Sequence, residues 1–163
     1  MKLRGNRGRV VPALSLLIAL MLTVVPLPES IVAFRPDWVP AILLYWSLAA
    51  PGRYGMLTAL WMGLALDVLS GALLGQHALA LLIVVYLSQR FSPRMRTVPV
   101  VQLSVTIIAL LALYEFVLFW VDGIAGRTVP LIDRWAPVLS GTLVWLLMLA
   151  VLQRGRRTSH ARV

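Results

Sequence analysis

The chain of 163 residues contains no cysteine, which excludes disulfides and thiolate metal sites and leaves the compartment open. Histidine is nearly missing as well. His77 lies at a loop edge and His160 in the tail, too few to build a metal cluster. The patterns GxSxG, HExxH and a Gly-rich phosphate loop are all absent. Charged residues make up only 13% of the chain and the acids number six, so catalysis would have only scattered carboxyls to draw on. Apolar surface, by contrast, is abundant. Apolar residues reach 60% and the mean hydropathy is +0.88, more than a soluble domain of this size can cover. The length suits one membrane domain with no appended soluble one, and neither an internal repeat nor a low-complexity segment is found.

Six apolar runs predict an all-α polytopic membrane protein, a six-helix transmembrane bundle with spans over about 10–27, 38–50, 54–71, 77–91, 100–121 and 135–152. The first run follows a basic head, 1–9, and no small-x-small cleavage site ends it, so a retained span is expected instead of a secretory signal. The second run, Trp38 to Ala50, covers only about 20 Å against roughly 30 Å of hydrocarbon, so it begins inside the preceding loop, thins the bilayer or is re-entrant. Trp38, Trp46, Trp120 and Trp135 lie near span ends, where amphipathic rings settle at headgroup level, while Trp61 and Trp145 lie mid-span and pack or face lipid.

The net charge of +9 would suggest nucleic acid in a soluble protein, but its placement argues for membrane orientation. With both termini cytoplasmic, the inner segments hold four, one, three and four basic residues, whereas the outer loops hold only Arg35, Arg127 and Arg134. Glu29, Asp37, Asp122 and Asp133 all fall outside. This asymmetry follows the positive-inside rule and favours six spans over five. The basic inner face, including the tail 153–163, suits anionic lipid, not a specific ligand, and no nucleic-acid partner is expected.

The stretch from Gly55 to Gly75, GMLTALWMGLALDVLSGALLG, is read as the buried centre of the bundle. Gly63, Asp67, Gly71 and Gly75 recur at intervals of four and would line one helical stripe, with Ser70 beside it. Glycines there would let another helix approach closely. A carboxyl in hydrocarbon costs at least roughly 2.5–3.5 kcal/mol and should face protein or water. Asp67 and Glu115 are the acids within spans, both in the outer half of the membrane, and no Lys or Arg lies in the spans that carry them. Ser70, Arg35 or another outer-loop arginine, a proton, or another protein are the candidate partners of these acids. A purely hydrogen-bonded structural acid at position 67 should tolerate Asn.

The order of a basic head, a first span, then FRPDWVPAILLYW, Gly63, DVLSGALLG and a fifth span with an acid before Phe119-Trp120 resembles the MreD family, the rod-shape-determining inner-membrane proteins of bacteria. The resemblance covers essentially the whole chain. Its most specific pieces are Phe34-Arg35-Pro36-Asp37-Trp38 and Asp67-Val68-Leu69-Ser70-Gly71 with Leu74-Gly75. It implies a non-enzymatic, cofactor-free scaffold of the cell-elongation machinery in the bacterial inner membrane. Members of the family work with a bitopic MreC-like protein, the MreB filament, a RodA-type glycosyltransferase and a class B penicillin-binding transpeptidase to direct lateral peptidoglycan synthesis. The family's bundle is also similar to the substrate-binding components of energy-coupling-factor transporters, which keeps a vitamin-type carrier as the alternative. A third reading, an acid–base pair of Asp67 and Glu115, lacks phosphate- or metal-binding companions. The candidate partner and helix-packing residues are therefore Arg35, Asp37, Gly63, Asp67, Ser70, Gly71, Gly75 and Glu115.

Overall fold

Proline and glycine punctuate this chain, and the helices fall between them. The computed structural model describes residues 7–26, 28, 34–49, 54–95, 100–128, 130 and 135–146. Among these, six helices and no strand are found: α1 (Arg7–Val24), α2 (Trp38–Ala49), α3 (Met56–Ser70), α4 (Gln76–Met95), α5 (Val100–Ile124) and α6 (Trp135–Leu146). Most of the basic head, the tail 153–163 and Arg53, Arg96 and Arg134 lie outside the described residues.

Each helix end has a local cause. Pro26 and Pro28 cannot continue α1. The carbonyl of Asp37 accepts the amide of Ala41 at 3.1 Å, which puts Asp37 in the N-cap position of α2 and leaves Pro40 in the tolerant first turn. At the end of α5, Gly126 takes φ 70°; its amide reaches the Gly123 carbonyl and that of Arg127 reaches Asp122, the paired bonds of a Schellman motif. Gly71, at φ 61°, ends α3 in the same left-handed conformation.

The core runs through α2 and α4. Val39, Ala41, Leu43 and Leu44 on α2 meet Ala80, Leu81, Val84 and Val85 on α4, joined by Ile107, Leu111, Tyr114 and Leu118 of α5. Polar pairs tie the layers together inside this apolar mass. Ser47 and Ser88 share a hydrogen bond of 2.7 Å between α2 and α4, and the indole of Trp46 donates to Ser15 Oγ of α1 at 2.9 Å. Trp145 of α6 is buried against Tyr45 and its indole reaches Ser104 of α5, while Trp61 faces outward.

Two expectations change here. The helix carrying Asp67 is not the centre of the bundle. α3 packs chiefly on α4 and buries only Ala59, Gly63, Leu66 and Asp67, leaving Leu57, Trp61 and Val68 bare. Helix lengths are also uneven. By length and composition, Val101–Ile124 alone among the described helices suffices to cross a membrane; Val10–Val24, Trp38–Leu48, Met56–Ser70 and Trp135–Leu146 are apolar but shorter.

Candidate functional site

The glycine stripe read from spacing resolves into two different devices. Only Gly63 and Asp67 share a helix. A Cβ at Gly63 would lie 2.2 Å from Cα of Ala78, so α3 and α4 touch backbone to backbone there. Gly71 and Gly75 lie beyond the helix, with φ of 61° and 97° and nothing within 4 Å of an added Cβ. They serve a left-handed turn, not close helix approach.

Asp67 holds that turn together from both of its ends. Its backbone carbonyl accepts the amides of Gly71 and, at 3.1 Å, Ala72, closing α3. Its side chain, fully buried, opens α4. Oδ2 accepts the amide of Gly75 at 2.8 Å, and Oδ1 accepts that of His77 at 2.8 Å. The first amides of any helix lack intrahelical partners, and burial of Asp67 leaves no water to replace them there. Asp67 is thus a cap supplied by the neighbouring helix. Oδ1 also lies 2.8 Å from Nδ1 of His77, and the His77 ring rests beside Tyr114 of α5, with centroids 6.3 Å apart.

The partner of Asp67 is therefore His77, not Ser70 or an outer-loop arginine. Sequence reasoning passed over His77 because a lone histidine signals no metal site. The available signal was its place in the first turn of the helix that follows a Gly-rich hairpin. Next to it, Gln76 crosses to α5, where its Nε2 donates to Asp122 Oδ1 at 2.9 Å in a buried contact.

Arg35 has a related role on the other side. Its guanidinium donates to the carbonyls of Leu22, at 3.1 Å, and Val25, where α1 has run out of amide donors. A cation at a helix C-terminus also suits the helix dipole. Nε of Arg35 is buried without a hydrogen-bond partner.

These helix ends surround a cleft of about 440 Å³. Arg35, Asp37, Trp38 and the end of α1 form one wall, and Leu66, Leu69, Ser70, His77 and Tyr114 the other. Of the residues singled out from sequence, Arg35, Asp37 and Ser70 meet here, and Asp67 contributes through the histidine that it orients. Gly63, Gly71, Gly75 and Glu115 do not line the cleft; Glu115 is buried within α5. No group of three or more metal-ligating side chains occurs among the described residues.

Among the described residues, helices that are strongly apolar, with buried polar groups closing their ends around a mixed polar and apolar cleft, define a class: a multi-helix protein of the kind that sits in a membrane. The comparisons narrow this class to a family. The family model for the rod shape-determining protein MreD matches residues 6–154, and the chain belongs to that family. The rod shape-determining protein MreD of Haemophilus influenzae (strain ATCC 51907 / DSM 11121 / KW20 / Rd) is 38% identical over 64 residues, 39% of this chain and 40% of that protein. The match thus spans less than half of that relative's length. No solved structure matches the chain. Family membership places the chain among the rod shape-determining proteins.

Proposed function

We propose that the chain is a non-catalytic membrane scaffold that recognises a bitopic MreC-like partner on the outer side of the membrane, around Arg35, Asp37 and the end of the Asp67 helix. Through that partner it couples the MreB filament to lateral peptidoglycan synthesis by a RodA-type glycosyltransferase and a class B penicillin-binding transpeptidase. The observation that carries this reading is the cleft between the ends of α1, α2 and α3. Its lining combines the polar Arg35, Asp37, Ser70 and His77 with the apolar Val24, Val39, Leu66 and Leu69. Such a mixture suits the point where a partner's membrane segment emerges from the bilayer. Six spans with both termini cytoplasmic put this end outside, in keeping with the positive-inside distribution.

The competing reading is a vitamin-type carrier, since a cleft of this volume falls in the range of small-molecule sites. Co-purification from detergent separates the two. Retention of a bitopic partner that is lost with Arg35→Gln and Asp37→Asn at unchanged protein level supports the scaffold. Recovery of an ATPase-coupled transport module, with cell shape intact after depletion, overturns it. Reporter fusions at Val163 and within Gly123–Gly126 test the orientation, because opposite signals are expected and matching ones sink the six-span count.

A further inference from the structure

The described part of the bundle has two unequal sides. On one, Val101–Ile124 of α5 is apolar over about 36 Å and exposes Val101, Val105, Phe116, Phe119 and Ile124 along its length. On the other, α3 is only 15 residues long and rises about 22 Å. Its ends are firmly fixed. Gly55 is extended before Met56, with Gln89 of α4 donating to the Tyr54 carbonyl, and Gly71 is left-handed after Ser70. Extension of the helix past either glycine would break these arrangements. α4 lies beside it in register, and its apolar stretch between His77 and Arg90 also covers about 20 Å. The outward face of this hairpin is largely apolar, through Met56, Leu57, Trp61, Val68 and Leu74, with Ser70 exposed at the end of α3.

We infer that the α3–α4 side thins the bilayer beside it, taking phospholipid whose headgroups sink toward the ends of α3. The hydrocarbon core is roughly 30 Å thick, so the hairpin falls short by about 8 Å while α5 exceeds it. Tilting does not reconcile the two, because a helix of about 22 Å projects at most that length across the bilayer whatever its tilt. Exposed leucine on the 71–75 turn adds apolar surface at one end only. Lipid deformation on the short side is the remaining adjustment.

The chain's lack of cysteine makes single-cysteine spin labelling direct. Leu57→Cys and Val68→Cys lie about 9 and 7 Å on either side of the midpoint of α3, and Val105→Cys and Phe119→Cys about 10 Å from that of α5. All four positions face outward, so the labels spare the core. In dioleoyl phosphatidylcholine vesicles, access to a water-soluble nickel chelate should be severalfold higher at both α3 positions than at both α5 positions. Molecular oxygen should reach all four. Equal chelate access on the two helices overturns the inference, and so does exclusion of oxygen from the α3 pair, which would mean that protein covers that face. A second reading uses the cysteine-free chain carrying a dye at its amino terminus. Energy transfer between copies should rise severalfold from dimyristoleoyl to dierucoyl phosphatidylcholine, as pairing hides the short side; no dependence on chain length counts against it.

Discussion

Replacing Asp67 tests whether its carboxyl works as a cap for α4. Both oxygens are in use: Oδ2 on the Gly75 amide, Oδ1 on the His77 amide and imidazole. Asn retains one acceptor and presents an NH2 group where the second stood, so one amide donor would face another donor. An unmet buried N–H costs about 1–3 kcal/mol. Asp67→Asn should therefore lose about that much, and Asp67→Ala, which strands both amides, about twice as much. Interhelical hydrogen bonds in membranes average about 0.6 kcal/mol because the dissociated helices find other partners. First-turn amides have fewer alternatives, which favours the larger figure. Unfolding of the purified chain by dodecyl sulfate titration, followed by tryptophan fluorescence, should rank wild type above Asn above Ala. Hydrogen exchange should quicken at Gly75 and His77 before it does in the rest of α4. A variant Asp67→Ala as stable as wild type, or Asp67→Asn as damaging as Ala, would refute the reasoning: the first denies the cap, the second makes charge and not acceptor count the deciding property.

Gly63→Ala should destabilise the hairpin by at least the 1–3 kcal/mol of an overpacked contact, since its Cβ meets the backbone of Ala78, and the same unfolding titration reads it. Gly71→Ala should cost about 1–2 kcal/mol from its left-handed conformation alone, with Gly71→Asn milder; equal effects of Asn and Ala would contradict that origin. Arg35→Gln should cost about 0.3–1 kcal/mol by uncapping α1, seen as faster exchange of the last-turn amides of that helix with those of α3 unchanged. Ser47→Ala should cost under about 1 kcal/mol, because the Ser88 hydroxyl left behind still donates to the Val85 carbonyl at 2.8 Å; a loss above about 2 kcal/mol in the same titration counts against that fallback.

Apolar runs and their breakers made the helices legible, because Pro26, Gly71 and Gly126 act locally and need no tertiary knowledge. The place of each helix in the bundle was not legible. The Gly55–Gly75 stretch is apolar on every side, so its composition is the same whether it lies centrally or at an edge. Spacing was misleading in a similar way. Intervals of four hold only while the chain stays helical, and Gly71 ends the helix that would have carried the stripe to Gly75. Arg35, Asp37 and Ser70 were singled out for charge and position, and the fold does bring them to one cleft. The Asp67–His77 contact was missed because it joins two helices across a turn, and no single helical period links positions 67 and 77.

A cap donated across a turn also bears on how the chain enters the membrane. Alone, α3 carries a carboxyl with nothing to satisfy it, and α4 begins with amides in the same condition. Either helix presented singly to the insertion machinery therefore brings an uncompensated polar group, costing less than the roughly 2.5–3.5 kcal/mol of an acid at the helix centre because Asp67 lies near the end of α3. Presented together, each cancels the other's debt. The two helices are thus expected to leave the translocation channel as a pair, with the short turn at 71–75 allowing them to meet while both are still within it. Truncated nascent chains should show α3 retained at the channel until the first turn of α4 has been synthesised.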